Sequence, residues 1–122
     1  MKQKTVLITG ASRGIGRACA RTFAEHGYHL VLNCHQHVDY LESLRCELEQ
    51  EYAVSCRLSH GDISDEVYVD SLFAEIADSG DSLDVLINNA GIAHMGLLQD
   101  MTLEQWNRVL NVNLTSQFLC CR

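Results

Sequence analysis

The sequence predicts an α/β fold, a parallel sheet covered by helices on both faces, and three observations carry that reading. Short apolar runs alternate with segments of helical period four times within 122 residues, and the order βαβαβαβα requires crossover connections. A glycine-rich turn, Thr9-Gly10-Ala11-Ser12-Arg13-Gly14-Ile15-Gly16, follows directly on the first apolar run. Polar or glycine-rich residues cluster again where the third and fourth strands end, which is where ligands bind in such sheets.

Taken in order, residues 4–9 read as a short buried strand. In the turn after it, Gly10 lets the chain leave the strand sharply, and Gly14 lets backbone approach an anion with no Cβ in the way. Gly16 lets the new helix pack close to the sheet. The unpaired N–H groups and positive dipole end of that helix then face the anion. The helix is predicted over residues 14–26, with Ile15, Ala18, Cys19, Thr22 and Phe23 on one face, and Gly27 supplies a left-handed stop. Residues 29–33 form the second strand. Residues 38–50 follow with Leu41, Leu44 and Leu48 at helical spacing and Glu42, Glu47 and Glu49 outside. Residues 53–58 alternate as a third strand. Ser64 reads as the N-cap of the next helix, whose buried stripe is Val67, Leu72, Phe73 and Ile76. Residues 83–87 form the fourth strand. Thr102 with Gln105 forms a capping box that opens a helix burying Trp106, Val109 and Leu110. Residues 111–122 read as the start of a long helix, with Leu114, Phe118, Leu119 and Cys121 apolar.

Composition narrows the classes of function. The chain is 47% hydrophobic and 20% charged, with a net charge of -7, and a nucleic-acid or anionic-membrane surface would need clustered Lys and Arg. Lys2 and Lys4 are the only lysines and the seven arginines are scattered. No apolar run approaches the roughly 18–20 residues of a membrane span, and the first one stops at Gly10, too early for a secretory leader. No repeat, linker or proline divides the chain, so a single domain over 1–122 is expected. The six cysteines show no C-x-x-C spacing and read as free, partly buried thiols in a reducing cytoplasm. Cys34-His35-Gln36-His37 lacks a second ligand cluster at suitable spacing, so it reads as an ordinary loop and no metal is expected.

His60-Gly61-Asp62-Ile63 ends the third strand, Asn88-Asn89-Ala90-Gly91 the fourth, and Asn111-Val112-Asn113-Leu114 lies further on. With Thr9–Gly16 these resemble, in order and spacing, the marks of the short-chain dehydrogenase/reductase family: TGxxxGxG, D-[VI], NNAG and N-V-N-L. The resemblance covers essentially the whole chain and implies a Rossmann-type doubly wound parallel sheet binding NAD(P). It implies that Gly10, Ser12, Arg13, Gly14, Ile15 and Gly16 cradle the pyrophosphate and adenosine ribose. Asp62 would accept from the adenine amino group, with the Ile63 N–H alongside. Asn89, Ala90 and Gly91 would line the ribose, and Asn88 would tie the central strands together. Asn113 would hold a helix bend and a water of the proton relay, the one catalytic position of the family present. The plainer alternatives are a helix-capping Asp62, a merely polar Asn113 inside a helix, and an Arg13 pointing into solvent.

NADP(H) is favoured over NAD(H). An NAD site usually presents an acid near the end of the second strand, where it repels a 2′-phosphate. Here Asn33-Cys34-His35-Gln36-His37 carries no acid before Asp39. Arg13 sits where a guanidinium could pair with a 2′-phosphate, assisted by Asn33, His35 or His37.

The family's reaction resembles hydride transfer to a carbonyl, assisted by a Y-x-x-x-K pair and a serine. Four residues after Tyr28, Tyr40, Tyr52 and Tyr68 stand Leu32, Leu44, Cys56 and Leu72. The pair is therefore absent from these residues. The expectation is the amino-terminal half, about four strands, of a protein roughly twice as long, most similar to 3-oxoacyl-acyl-carrier-protein reductases. Its full-length form would be a homo-oligomer, a dimer or tetramer, acting on a small-molecule or carrier-bound carbonyl. Two other readings are a reductase of 5-aminopentanone-modified elongation factor P and a non-catalytic nucleotide-binding module.

Overall fold

The computed structural model describes residues 3–122; Met1 and Lys2, the first residues of the expected 1–122 domain, lie outside the described residues. Four parallel strands, β1 (Thr5–Ile8), β2 (His29–Cys34), β3 (Cys56–His60) and β4 (Leu83–Ile87), form one sheet in the order β3-β2-β1-β4. Helices α1 (Gly14–Glu25), α2 (Val38–Glu51) and α3 (Glu66–Asp78) connect them, and α4 (Leu103–Leu110) and α5 (Ser116–Cys121) follow β4. The chain winds outward from β1 to β3 and then returns to the far side of β1 for β4. That reversal makes the β1/β4 boundary a topological switch point, where a crevice opens at the carboxyl ends of the strands.

Successive strand residues point to opposite faces, and burial follows that rule. Val6, Ile8, Leu30 and Leu32 pack with Ala20 and Ala24 of α1 and Leu41, Leu44 and Leu48 of α2. Leu7 and Val31 face the other way, onto Val69, Leu72 and Ile76 of α3 and Leu119 and Cys120 of α5. The expected two-sided α/β architecture is thus present. No helix among the described residues is long and apolar enough to cross a membrane, and all six cysteines are free.

Several local expectations are corrected by packing. The sheet-facing stripe of α1 is Gly16, Ala20 and Ala24, and Ile15 is 75% exposed. Small residues at every fourth position let α1 lie close to the strands, and Gly16 at the turn sets their phase. β3 starts at Cys56, later than residue 53, because its ladder with β2 runs from Leu30↔Cys56 to Cys34↔His60. Asp65, not Ser64, caps α3: its carboxylate accepts from Val67 N–H at 3.0 Å. The buried stripe of α3 is Val69, Leu72 and Ile76, with Phe73 partly buried and Val67 77% exposed.

The capping box of α4 is present in both directions: Gln105 N–H donates to Thr102 Oγ1 (3.1 Å) and Thr102 N–H to Gln105 Oε1 (2.9 Å). The helix nevertheless buries no residue fully, and Trp106 and Leu110 are exposed, because its main neighbour is the turn that follows it. That turn, Asn111–Thr115, is a π-helical turn that interrupts the expected continuous helix before α5. Of the apolar residues noted there, Leu119 is buried, whereas Leu114, Phe118 and Cys121 are exposed and Cys120 takes the inward position.

Candidate functional site

The carboxyl ends of all four strands converge on a cleft of about 510 Å³. Its floor is the turn after β1. Gly10 and Gly14 have φ of 63° and 60°, the left-handed region that disfavours other residues. A Cβ on Gly10 would lie 2.9 Å from Ala90 Cα, and one on Gly16 would lie 2.4 Å from the Gly10 carbonyl oxygen. A Cβ on Gly14 would meet nothing within 4 Å, so that side of the turn is open to the cleft. The amino end of α1 has no side-chain cap and no acidic residue in its first turn. Its orphan N–H groups and positive dipole end are left for an external acceptor.

Thr9, to which sequence reasoning assigned no separate role, is the knot between β1 and β4. Buried, with 2% of its surface exposed, its Oγ1 accepts from Asn89 N–H and Ala90 N–H, each at 3.0 Å, and donates to the Ile87 carbonyl at 3.5 Å. The Asn89 amide returns two bonds, to the Thr9 (3.1 Å) and Gly10 (2.9 Å) carbonyls. Asn89 and Thr9 therefore tie β1 to β4, the linking role expected of Asn88, whose Nδ2 instead meets Cys121 Sγ on α5 at 3.5 Å. The only available hint was the position of Thr9 at a strand end, next to Gly10.

Asn33 lines the cleft yet is 1% exposed. Its Oδ1 accepts from Gly10 N–H (3.2 Å), and its Nδ2 donates to the Gly61 carbonyl (3.2 Å) and to Tyr68 Oη (3.0 Å). Both side-chain polar atoms are thus engaged in joining the ends of β1, β2 and β3. Tyr68 Oη also pairs with Ser59 Oγ at 2.6 Å, and burial pushes the Tyr68 hydroxyl above its ordinary value. His35 and His37 line the cleft rim and are exposed, with His37 stacked on Tyr40. Cys34 borders the cleft as well but is buried in the core cluster, and no group of three or more metal-binding side chains gathers among the described residues.

Arg13 lines the cleft and is exposed, and none of the ion pairs among the described residues involves it. Ser12, Ile63, Ala90 and Gly91 also line the cleft, whereas Ile15 and Gly16 do not. Asn113 lies behind it, in the π-helical turn. Its Oδ1 accepts from Ile92 N–H (2.7 Å) and its Nδ2 donates to the Ile92 carbonyl (2.8 Å), so one side chain clamps the loop after β4. π-Helical turns of this kind commonly mark functional positions.

Asp62 is held by a partner that sequence reasoning missed. Its Oδ1 accepts from Ser64 N–H (3.0 Å) and Ser64 Oγ (2.7 Å), while Oδ2 accepts from Arg108 Nη1 (2.8 Å). Burial pushes the Asp62 carboxyl upward, but the bonds from Ser64 and Arg108 outweigh it and hold it below its ordinary value. A carboxylate lowered on folding contributes stability above its unfolded pKa, which is lost as pH falls through the folded one. The melting temperatures of the wild type and Asp62→Asn should therefore differ most near about pH 6 and converge toward about pH 3; a gap constant across that range would remove this role.

A family profile described as short chain dehydrogenase matches residues 4–122. The chain belongs to the short-chain dehydrogenase family. It is 39% identical over 117 residues to the uncharacterized oxidoreductase YgfF of Escherichia coli strain K12, covering 95% of this chain and 47% of that protein. It is 36% identical over 121 residues to the 3-oxoacyl-acyl-carrier-protein reductase FabG of Staphylococcus epidermidis, covering 96% and 48%. The fold matches L-sorbose reductase from Gluconobacter frateurii, solved with NADPH and L-sorbose, at a TM-score of 0.92 and 29% identity, over 100% of this chain and 46% of that one. An alcohol dehydrogenase from Thermococcus sibiricus, solved with 5-hydroxy-NADP, matches at 0.90 and 34% identity, over 98% and 50%. The chain thus spans about half the length of the relatives it matches.

Proposed function

We propose that this chain is the NADP(H)-holding part of a short-chain reductase that converts a carbonyl, of the 3-oxoacyl thioester kind, to a hydroxyl. The observation that carries the reading is the uncapped amino end of α1, opening onto a cleft beside an open Gly14 and an unpaired Arg13. A helix end with no acid and no cap is built for an anion, and in a chain of net charge -7 such a place is not a product of overall charge.

The residues present fit the dinucleotide. The turn Gly10–Gly16 would hold the pyrophosphate, with Ser12 and Ile15 in the same loop and Gly16 keeping α1 close beneath it. Asp62 and the Ile63 N–H would take the adenine, and Asn89, Ala90 and Gly91 the ribose. Arg13 and His35 would meet a 2′-phosphate, while Asn33 serves them by fixing the loop from within the protein. Asn113 would position the loop after β4 and a water near the reacting end. When bound, the cofactor supplies the hydride, and a similarity to FabG and to NADPH-bound structures supports a reductase over a plain binding module. Carrier-bound or free carbonyl substrates and a homo-oligomeric assembly belong to the same proposal for the whole protein.

The test is a fluorescence titration of the purified chain with NADPH and NADH. NADPH should bind more tightly, and Arg13→Ala should reduce the NADPH/NADH preference by about 10-fold or more, the loss of one charge-assisted phosphate contact. No oxidation of bound NADPH by acetoacetyl thioesters is expected, because these 122 residues contain no Y-x-x-x-K pair. An unchanged preference in Arg13→Ala would overturn the NADP assignment.

A further inference from the structure

Arg108 reaches across from the last turn of α4 to a carboxylate 46 positions earlier in the chain. One of its nitrogens does two things at once: Nη1 donates to Asp62 Oδ2 at 2.8 Å and to Ser64 Oγ at 3.0 Å. Ser64 Oγ in turn donates to Asp62 Oδ1 at 2.7 Å, and the Ser64 N–H takes the other position on that oxygen at 3.0 Å. The three side chains close a ring. A carboxylate oxygen has room for about two hydrogen bonds, so Oδ1 is filled from within the protein and Oδ2 keeps a single open acceptor position. The side chain of Asp62 is 28% exposed and both residues line the cleft, so a ligand can reach that position.

We propose that Arg108 is a positioning residue for nucleobase selection, holding Asp62 so that its one open acceptor position recognises an exocyclic amino group. This deepens the proposed function and rests on the reading that adenine lies at Asp62. The physical basis is chemical complementarity. An acceptor-only carboxylate welcomes the N–H of a 6-amino purine and repels the 6-oxo group of a hypoxanthine, whose oxygen is itself an acceptor. Without Arg108 the carboxylate can rotate about its Ser64 bonds, so its open position is no longer aimed at the amino group and the two bases are told apart less well. The ring is closed by two bonds from a charged donor, and bonds of that kind are stronger and more directional than neutral ones.

The experiment compares NADPH with its deaminated analogue, in which hypoxanthine replaces adenine, by fluorescence titration of the wild-type chain, Arg108→Met and Arg108→Lys. The wild type should prefer the amino nucleotide by about 10-fold or more, the scale set when a buried polar group is left unmatched. Arg108→Met should cut that ratio by about fivefold, and Arg108→Lys, which retains charge but not the planar fork, should fall between. A purely structural role for Arg108 would weaken both nucleotides equally and leave the ratio unchanged, which overturns the proposal. If Arg108→Met is unfolded by circular dichroism, the Lys variant carries the same comparison, and an unchanged ratio there has the same meaning. A wild type that binds both nucleotides equally well overturns the placement of adenine at Asp62, and this proposal with it.

Discussion

Gly16→Ala is expected to abolish measurable NADPH binding and to destabilise the fold. The added Cβ would sit 2.4 Å from the Gly10 carbonyl oxygen, 2.6 Å from Asn89 Nδ2 and 3.0 Å from Ala11 Cα. Two of these neighbours are backbone, and the third is the amide that bonds the Thr9 and Gly10 carbonyls. No side chain can swing aside to make room. Either α1 moves away from the turn or the turn moves into the cleft, at a cost of about 1–3 kcal/mol of overpacking and with the loop geometry lost. A displacement of about 1 Å at such a site costs about 100-fold in binding or rate. Gly14→Ala is the informative contrast. It has open space around it and carries only the left-handed backbone penalty of roughly 1–2 kcal/mol. Thermal melts and NADPH titrations of both variants check this, and a Gly16→Ala protein that binds like wild type would show that the turn does not hold the cofactor.

Thr9→Val should destabilise the chain by about 2–6 kcal/mol, the sum of two partly buried N–H groups left unsatisfied at roughly 1–3 kcal/mol each. The two side chains have nearly the same shape, so no cavity or clash confuses the result. Only the hydroxyl is lost, and with it the acceptor for Asn89 N–H and Ala90 N–H. The effect falls where β4 joins β1, at the switch point. Urea unfolding of the two proteins measures it. The Asn89–Gly91 segment should also exchange its amide hydrogens faster in the variant. A change below about 0.5 kcal/mol, ordinary for a surface site, would mean that water replaces the hydroxyl.

Local pattern is enough for much of this molecule. The alternation of strand and helix, the left-handed Gly27 (φ 82°) and the Thr102–Gln105 capping box each depend on residues a few positions apart. The same holds for the spacing of Gly10, Gly14 and Gly16. Such features are written in periodicity and turn chemistry, and they carried the fold class. The misplaced details were of another kind. Which face of α1 or α3 meets the sheet depends on how the preceding loop phases the helix, so Ile15 and Val67 ended outside while Gly16 and Val69 ended inside. Trp106 and Leu110 have apolar spacing, yet burial needs a surface to pack against, and α4 has mainly its own following turn.

The polar architecture of the cleft was decided by the assembled sheet. Asn33 meets Tyr68 across 35 positions, Arg108 meets Asp62 across 46, and Asn89 meets Thr9 across 80. No window along the chain contains both members of any of these pairs, and a hydrogen bond has no periodicity to betray it. Sequence alone thus specified the glycine turn, the strand–helix rhythm and the family. The strand order β3-β2-β1-β4 brought four strand ends together, and only there did Arg108 find Asp62. The physical reason is range: backbone propensity acts over a turn or two, whereas the donors and acceptors of the cleft are paired by strand neighbours far apart in the chain.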